Sequence, residues 1–144
     1  MNLVKRVFLI DDDAIFNMVH VKVLDKAMFV DETLVFDDAQ KALQIIENLI
    51  SGAELELPEL IFLDISMTGL DGWGFLDKLS NISGFKHDKC KIVILSSSIN
   101  GEDIDKSKMY PIVLDFISKP LTQGKLQDLK LKLGSLISTH PSLA

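Results

Sequence analysis

Apolar residues fall along this chain in two rhythms: short unbroken runs, and longer stretches in which they recur every third or fourth position. A short apolar run bounded by turn-formers reads as a buried strand, and the three-to-four spacing reads as an amphipathic helix. Residues 6–10 predict a first strand, which gives way to Asp11-Asp12-Asp13 and a helical pattern through Val19, Val23 and Leu24. Residues 32–36 predict a second strand, with Asp37-Asp38 capping a helix that carries Ala42, Leu43, Ile45, Ile46 and Leu49 and stops at Gly52. A short connection over 53–58 leads to Leu60-Ile61-Phe62-Leu63, which runs straight into Asp64, and Gly72 through Phe75, Leu76 and Leu79 gives the third helix. A polar loop over 82–91 precedes Ile92-Val93-Ile94-Leu95, a run apolar enough to be buried on both faces, which ends at Ser96-Ser97-Ser98. Residues 102–109 predict a weak polar helix, 113–117 a fifth strand, and 121–137 a long amphipathic helix with a frayed tail over 138–144.

Five strands alternating with five helices, without repeats or low-complexity segments, predict an α/β fold built on one doubly wound, five-stranded parallel sheet. Right-handed crossovers bring all five carboxyl-terminal strand tips to one edge, where open α/β sheets bind their ligands. The polar residues at those tips are Asp11 and Asp12, Asp64, Ser96, and Lys119 just after the fifth strand. Each has a plain reading alone, as a helix cap, a loop serine or a turn, and Asp13 serves as a cap for the first helix. Their recurrence at successive strand ends points to one site.

Composition narrows what that site serves. The 144 residues suffice for one domain with a real core and leave no room for a separate output domain. A net charge of -6 opposes general attraction to nucleic acid, so protein partners are expected. No apolar run reaches a membrane span and no signal-peptide pattern opens the chain, which predicts a cytoplasmic protein. The single cysteine, Cys90, has no disulfide partner and reads as a half-buried small apolar residue. His20, His87 and His140 lie in a helix, a loop and the tail and share no visible site. Trp73 reads as a packing residue close to Asp64.

Three carboxylates on one edge repel one another and call for a cation. The candidate ligands are all oxygens, which suits Mg²⁺, a hard ion that keeps positions open for phosphate. Lys119 adds a compact charge and Ser96 a hydroxyl donor, both suited to phosphate oxygens. Together they make a site for phosphoryl transfer with Asp64 as nucleophile.

The stretches Phe8-Leu9-Ile10-Asp11-Asp12-Asp13, Ile61-Phe62-Leu63-Asp64 through Leu70-Asp71-Gly72, Ile94-Leu95-Ser96-Ser97 and Phe116-Ile117-Ser118-Lys119-Pro120 resemble the receiver domain of two-component response regulators, over essentially the whole chain. The resemblance implies a flavodoxin-like (βα)5 fold, a single receiver domain over 1–144, and Asp64 as phosphoacceptor. It implies Asp11 and Asp12 as the acidic pair, with Asp12 the direct Mg²⁺ ligand and Ser66 lending its backbone carbonyl. Ser96 becomes the switch hydroxyl, Phe116 the switch aromatic, and Lys119-Pro120 the charge-pairing lysine before a cis peptide bond. Ser66 and Ser98 would flank the path of the water that removes the phosphoryl group. The implied partners are a histidine kinase or phosphotransfer protein and, through the face of the fourth helix, fifth strand and fifth helix, a downstream protein, with the chain a monomer or weak dimer.

Two departures stand out. The family usually has proline four residues after the phosphoacceptor, where this chain has Thr68, and Gly69 follows, so a more mobile loop is expected. The switch aromatic is phenylalanine, whose swing would involve no hydroxyl bond. Three rival readings accompany the first: a flavin mononucleotide site with residues 96–101 as phosphate loop, which the three carboxylates oppose; an aspartate-nucleophile phosphatase, whose general acid two residues on would be Ser66, which cannot serve; and a binding module that has lost phosphotransfer.

Overall fold

The structure, a computed structural model, describes residues 3–52 and 56–139, with 135–139 given as helix backbone alone. Among the described residues, strands β1 (Val4–Ile10), β2 (Val30–Phe36), β3 (Leu60–Asp64), β4 (Lys91–Ser96) and β5 (Val113–Ser118) alternate with helices α1 (Ala14–Lys26), α2 (Ala39–Gly52), α3 (Gly72–Ser80), α4 (Gly101–Ser107) and α5 (Gln123–Thr139). The strands form one parallel sheet in the order β2-β1-β3-β4-β5. The chain runs outward from β1 to β2 and then resumes with β3 on the other side of β1. That reversal opens a crevice beyond the carboxyl ends of β1 and β3.

Alternate residues of the central strands feed two cores. Phe8, Ile10, Ile61, Leu63, Ile92 and Ile94 pack with Ala42, Leu43 and Ile46 of α2 and Phe75, Leu76 and Leu79 of α3. Val7, Leu9, Leu60, Phe62, Val93 and Leu95 pack with Leu24 of α1 and Leu126 and Leu129 of α5. Side chains on both faces are therefore dry, which is why these strands read as unbroken apolar runs rather than as alternation.

The structure moves several expected boundaries. β1 and β2 each begin two residues earlier than expected, with Val4 paired to Val30, because ladder bonds continue past the exposed Lys5 and Asp31. α4 ends at Ser107 instead of 109. α5 begins at Gln123 instead of 121: Leu121 is buried and gives its N–H to His20, and the Thr122 hydroxyl accepts the Lys125 amide at 3.2 Å. Its backbone is helical through Thr139, which corrects the frayed tail at 138 and 139, and 140–144 lie outside the described residues. Cys90 is fully buried instead of half-buried, and burial pushes its thiol up to about 12, so it supplies no thiolate.

Candidate functional site

Strand register assembles the site. Ile10 lies opposite Leu63 and Asp64 opposite Leu95, so Asp11 and Asp64 stand level at the tips of β1 and β3. One residue further along, Ser96 lies opposite Ser118, which places Lys119 just beyond the sheet edge. The Lys119 N–H donates to the Ser96 carbonyl at 2.8 Å, and the Lys119–Pro120 peptide is cis, as expected.

Each carboxylate is held differently. Asp11 is buried; its Oδ1 accepts the Asp13 amide at 2.9 Å, and its Oδ2 lies 2.6 Å from Lys119 Nζ. Asp64 is also buried; its Oδ1 accepts the Ser66 amide at 3.0 Å, and its Oδ2 lies 3.3 Å from the same ammonium. Lys119 thus sits between two carboxylates, with its Nζ also over the Phe16 ring at 4.6 Å. Asp12 is exposed, and its Oδ2 accepts from the Thr68 amide at 3.1 Å and the Thr68 hydroxyl at 3.3 Å. Asp13 is the N-cap of α1, taking the Ile15 and Phe16 amides.

One oxygen from each of Asp11, Asp12 and Asp64 lies within 4.8 Å of the others. Three negative charges against one ammonium leave the cluster anionic, and Asp11 Oδ2 is buried without a hydrogen bond, meeting only the lysine ion pair. That all-oxygen donor set fits a hard divalent cation such as Mg²⁺. Burial pushes the Asp64 carboxyl up to about 6; Asp11 adds to the rise, while the Ser66 amide and Lys119 pull against it.

The loop from β3 to α3 is shaped by two glycines. Gly69 has φ +75°, in the left-handed region. A Cβ on Gly72 would lie 2.5 Å from Ile65 Cα and 2.8 Å from the Asp64 carbonyl oxygen, so only glycine lets α3 start this close to the strand tip. Asp71 caps α3 through the Gly74 amide at 2.8 Å. Thr68, in the loop expected to be more mobile, donates two hydrogen bonds to Asp12 Oδ2.

A family model described as "Response regulator receiver domain" matches residues 7–130. The chain belongs to the response regulator receiver domain family. Among solved structures, it is similar to a two-component response regulator from Cytophaga hutchinsonii, at 28% identity and TM-score 0.83, covering 92% of this chain and 98% of that one. It shares its fold with a CheY-like receiver domain protein from Methanospirillum hungatei JF-1 (21% identity, TM-score 0.73, 94% and 98% covered). It also shares it with a receiver protein from Dyadobacter fermentans DSM 18053 (19% identity, TM-score 0.74, 90% and 98% covered). No curated protein matches it. The receiver assignment places the protein in two-component signalling and confirms the flavodoxin-like (βα)5 fold. No helix of the described residues is long and apolar enough to cross a membrane.

The remaining residues singled out in the receiver sequence occupy distinct settings. Ser96 is buried, and its hydroxyl is engaged within its own loop, donating to the Ser98 carbonyl at 2.7 Å and accepting the Ser98 amide at 3.3 Å. Asn100 caps α4 through the Asp103 amide, so two polar side chains of the segment that a flavin phosphate would need, Ser96 and Asn100, are already engaged internally. Phe116 is partly buried against the α2/α3 core, and Ser66 and Ser98 are exposed. Sequence reasoning missed His20: it is fully buried, stacks on Phe16 at 5.7 Å, and its Nε2 accepts the Leu121 N–H at 3.1 Å, tying α1 to the segment after Lys119. The helical spacing of Asn17, His20 and Leu24 could have placed it on the inner face of α1, but nothing in the sequence points to its Leu121 partner. Burial lowers His20 below its ordinary value, so the neutral ring accepts that bond.

Proposed function

We propose that the protein is a phosphoacceptor response regulator in which Mg²⁺-dependent phosphorylation of Asp64 switches a protein-binding face. The observation that carries this reading is the Asp64 carboxylate itself, buried at a strand tip, sharing Lys119 with Asp11 and lying beside Asp12. In the transfer an Asp64 oxygen attacks phosphorus, the P–N bond of a phosphohistidine or the P–O bond of a small acyl phosphate breaks, and the leaving group keeps the electron pair. Asp11, Asp12, Asp64 and the Ser66 carbonyl are the groups that would hold Mg²⁺. When bound, the ion neutralises charge on the transferring phosphoryl oxygens. Lys119, already at Asp64, is placed to pair with a phosphoryl oxygen. The Ser96 hydroxyl must exchange the Ser98 carbonyl for the phosphoryl group, and Phe116 then moves inward behind it. Ser66 and Ser98 are too short to hold a water firmly in line for hydrolysis and too small to exclude it, giving a phosphoaspartate of moderate lifetime.

A histidine kinase or phosphotransfer protein in the cytoplasm is the proposed donor. Ile15, Met18 and Val19 support this, since they are exposed on one face of α1 next to the acidic loop. The proposed output is a protein bound through α4, β5 and α5. Adding beryllofluoride and Mg²⁺ should shift the amide resonances of Ser66, Ser96 and Lys119, and unchanged resonances would count against the site.

A further inference from the structure

Among the three clustered carboxylates, Asp12 is the odd one. Asp11 and Asp64 are buried, and each is fixed by a backbone amide and by Lys119. Asp12 is exposed; among the described residues no lysine forms an ion pair with it, and the hydrogen bonds to its carboxylate come from Thr68 and fall on Oδ2. Thr68 belongs to the loop after β3, 56 residues further along the chain. An exposed carboxylate free to rotate loses that freedom when it binds an ion, and a donor that already fixes it reduces the loss. Two donors on one oxygen do this and leave the lone pairs of Oδ1 for other use.

We propose that Thr68 is a positioning residue for cation binding: by gripping Asp12 Oδ2 through both its amide and its hydroxyl, it sets the carboxylate for the ion and couples the β3–α3 loop to occupancy of the site. This rests on the reading of the three aspartates as a Mg²⁺ site. Hydrogen bonds to a metal-binding carboxylate fix its orientation, and their loss typically weakens metal binding by about tenfold or more. Thr68→Val keeps the amide donor and the side-chain shape but removes the hydroxyl. Thr68→Pro removes both donors, and Thr68→Ser keeps both.

The test is a Mg²⁺ titration of the full chain followed by amide resonances and Trp73 fluorescence, without any phosphodonor. The expected result is binding weakened about threefold in Thr68→Val and about tenfold in Thr68→Pro, with Thr68→Ser close to wild type. A purely structural role would lower the melting temperature of the metal-free variants while leaving their Mg²⁺ affinity unchanged. Equal or tighter binding by Thr68→Val would overturn the proposal, the tighter case meaning that Thr68 competes with the ion for Asp12. A wild-type protein that does not respond to Mg²⁺, or whose response survives Asp12→Asn intact, would overturn the underlying site reading as well. Should Thr68→Val not fold, the wild-type chain still decides: exchange of the Thr68 amide with solvent should slow when Mg²⁺ saturates the site, and unchanged exchange would contradict the coupling.

Discussion

Asp64 carries a charge that the folded, metal-free protein holds at a cost. Its carboxyl is raised from 3.8 to about 6, chiefly by burial, so between those values the folded state binds more protons than the unfolded chain and stability falls as pH rises. Above about pH 6 the whole penalty is present, and below about pH 4 it is gone. Asp64→Asn should therefore stabilise the metal-free protein by roughly 1–3 kcal/mol near pH 7.5 and hardly at all near pH 4, measured by urea unfolding. An equal effect at both pH values would refute the assignment of the cost to charge. His20→Leu should act in the opposite direction. It strands the buried Leu121 N–H and should cost about 1–3 kcal/mol. Ser98→Glu should change the rate of phosphoryl loss by roughly tenfold, about 1.4 kcal/mol of barrier, and decay identical to wild type would show that this position does not guide the water. Asp11, Asp12, Asp64, Ser96 and Lys119 were legible in the sequence because each closes or follows an apolar run. The roles of His20 and Thr68 were not, since their partners lie 101 and 56 residues away and only the fold brings them near.

At the scale of elements, Gly72 joins α3 to the strand that carries Asp64. Its missing side chain admits the backbone of Asp64 and Ile65, atoms that cannot rotate away. Gly72→Ala should cost about 1–3 kcal/mol and shift the Asp64 and Ser66 resonances, whereas Gly69→Ala meets open space and should show only the left-handed backbone penalty of about 1–2 kcal/mol. A Gly72→Ala protein with wild-type stability and spectra would contradict this packing. The order of elements could be read from the chain because the central strands β3 and β4 are unbroken apolar runs and the edge strands β2 and β5 still carry apolar pairs near their ends, Val35-Phe36 and Phe116-Ile117. Strand starts were misread where Lys5 and Asp31 face solvent, since an exposed polar side chain does not stop a ladder. The end of α4 was misread because the Lys108, Met109 and Tyr110 amides bond three residues back and close the helix as a turn, and the start of α5 because capping by Thr122 and diversion of the Leu121 amide decide it rather than hydrophobic spacing.

Across the whole molecule, the one tryptophan lies where α3 meets α4 and the segment before β5. Trp73, at the start of α3, stacks on Tyr110 at 5.9 Å with Lys106 of α4 4.7 Å over its ring, and the Tyr110 hydroxyl donates to Asp77 of α3 at 2.8 Å. A rearrangement of α4 following capture of the Ser96 hydroxyl must disturb this stack. Beryllofluoride with Mg²⁺ should therefore change Trp73 emission and the amide exchange of residues 102–129, and an activated form unchanged in both would remove the basis for a switch at α4, β5 and α5. The measurement that bears most directly on the account is intact mass after incubation with acetyl phosphate. Wild type with Mg²⁺ should gain a single phosphoryl group, chelation of the ion should abolish the gain, and Asp64→Asn should show none; labelling of Asp64→Asn at the wild-type rate would contradict the assignment of Asp64 as phosphoacceptor.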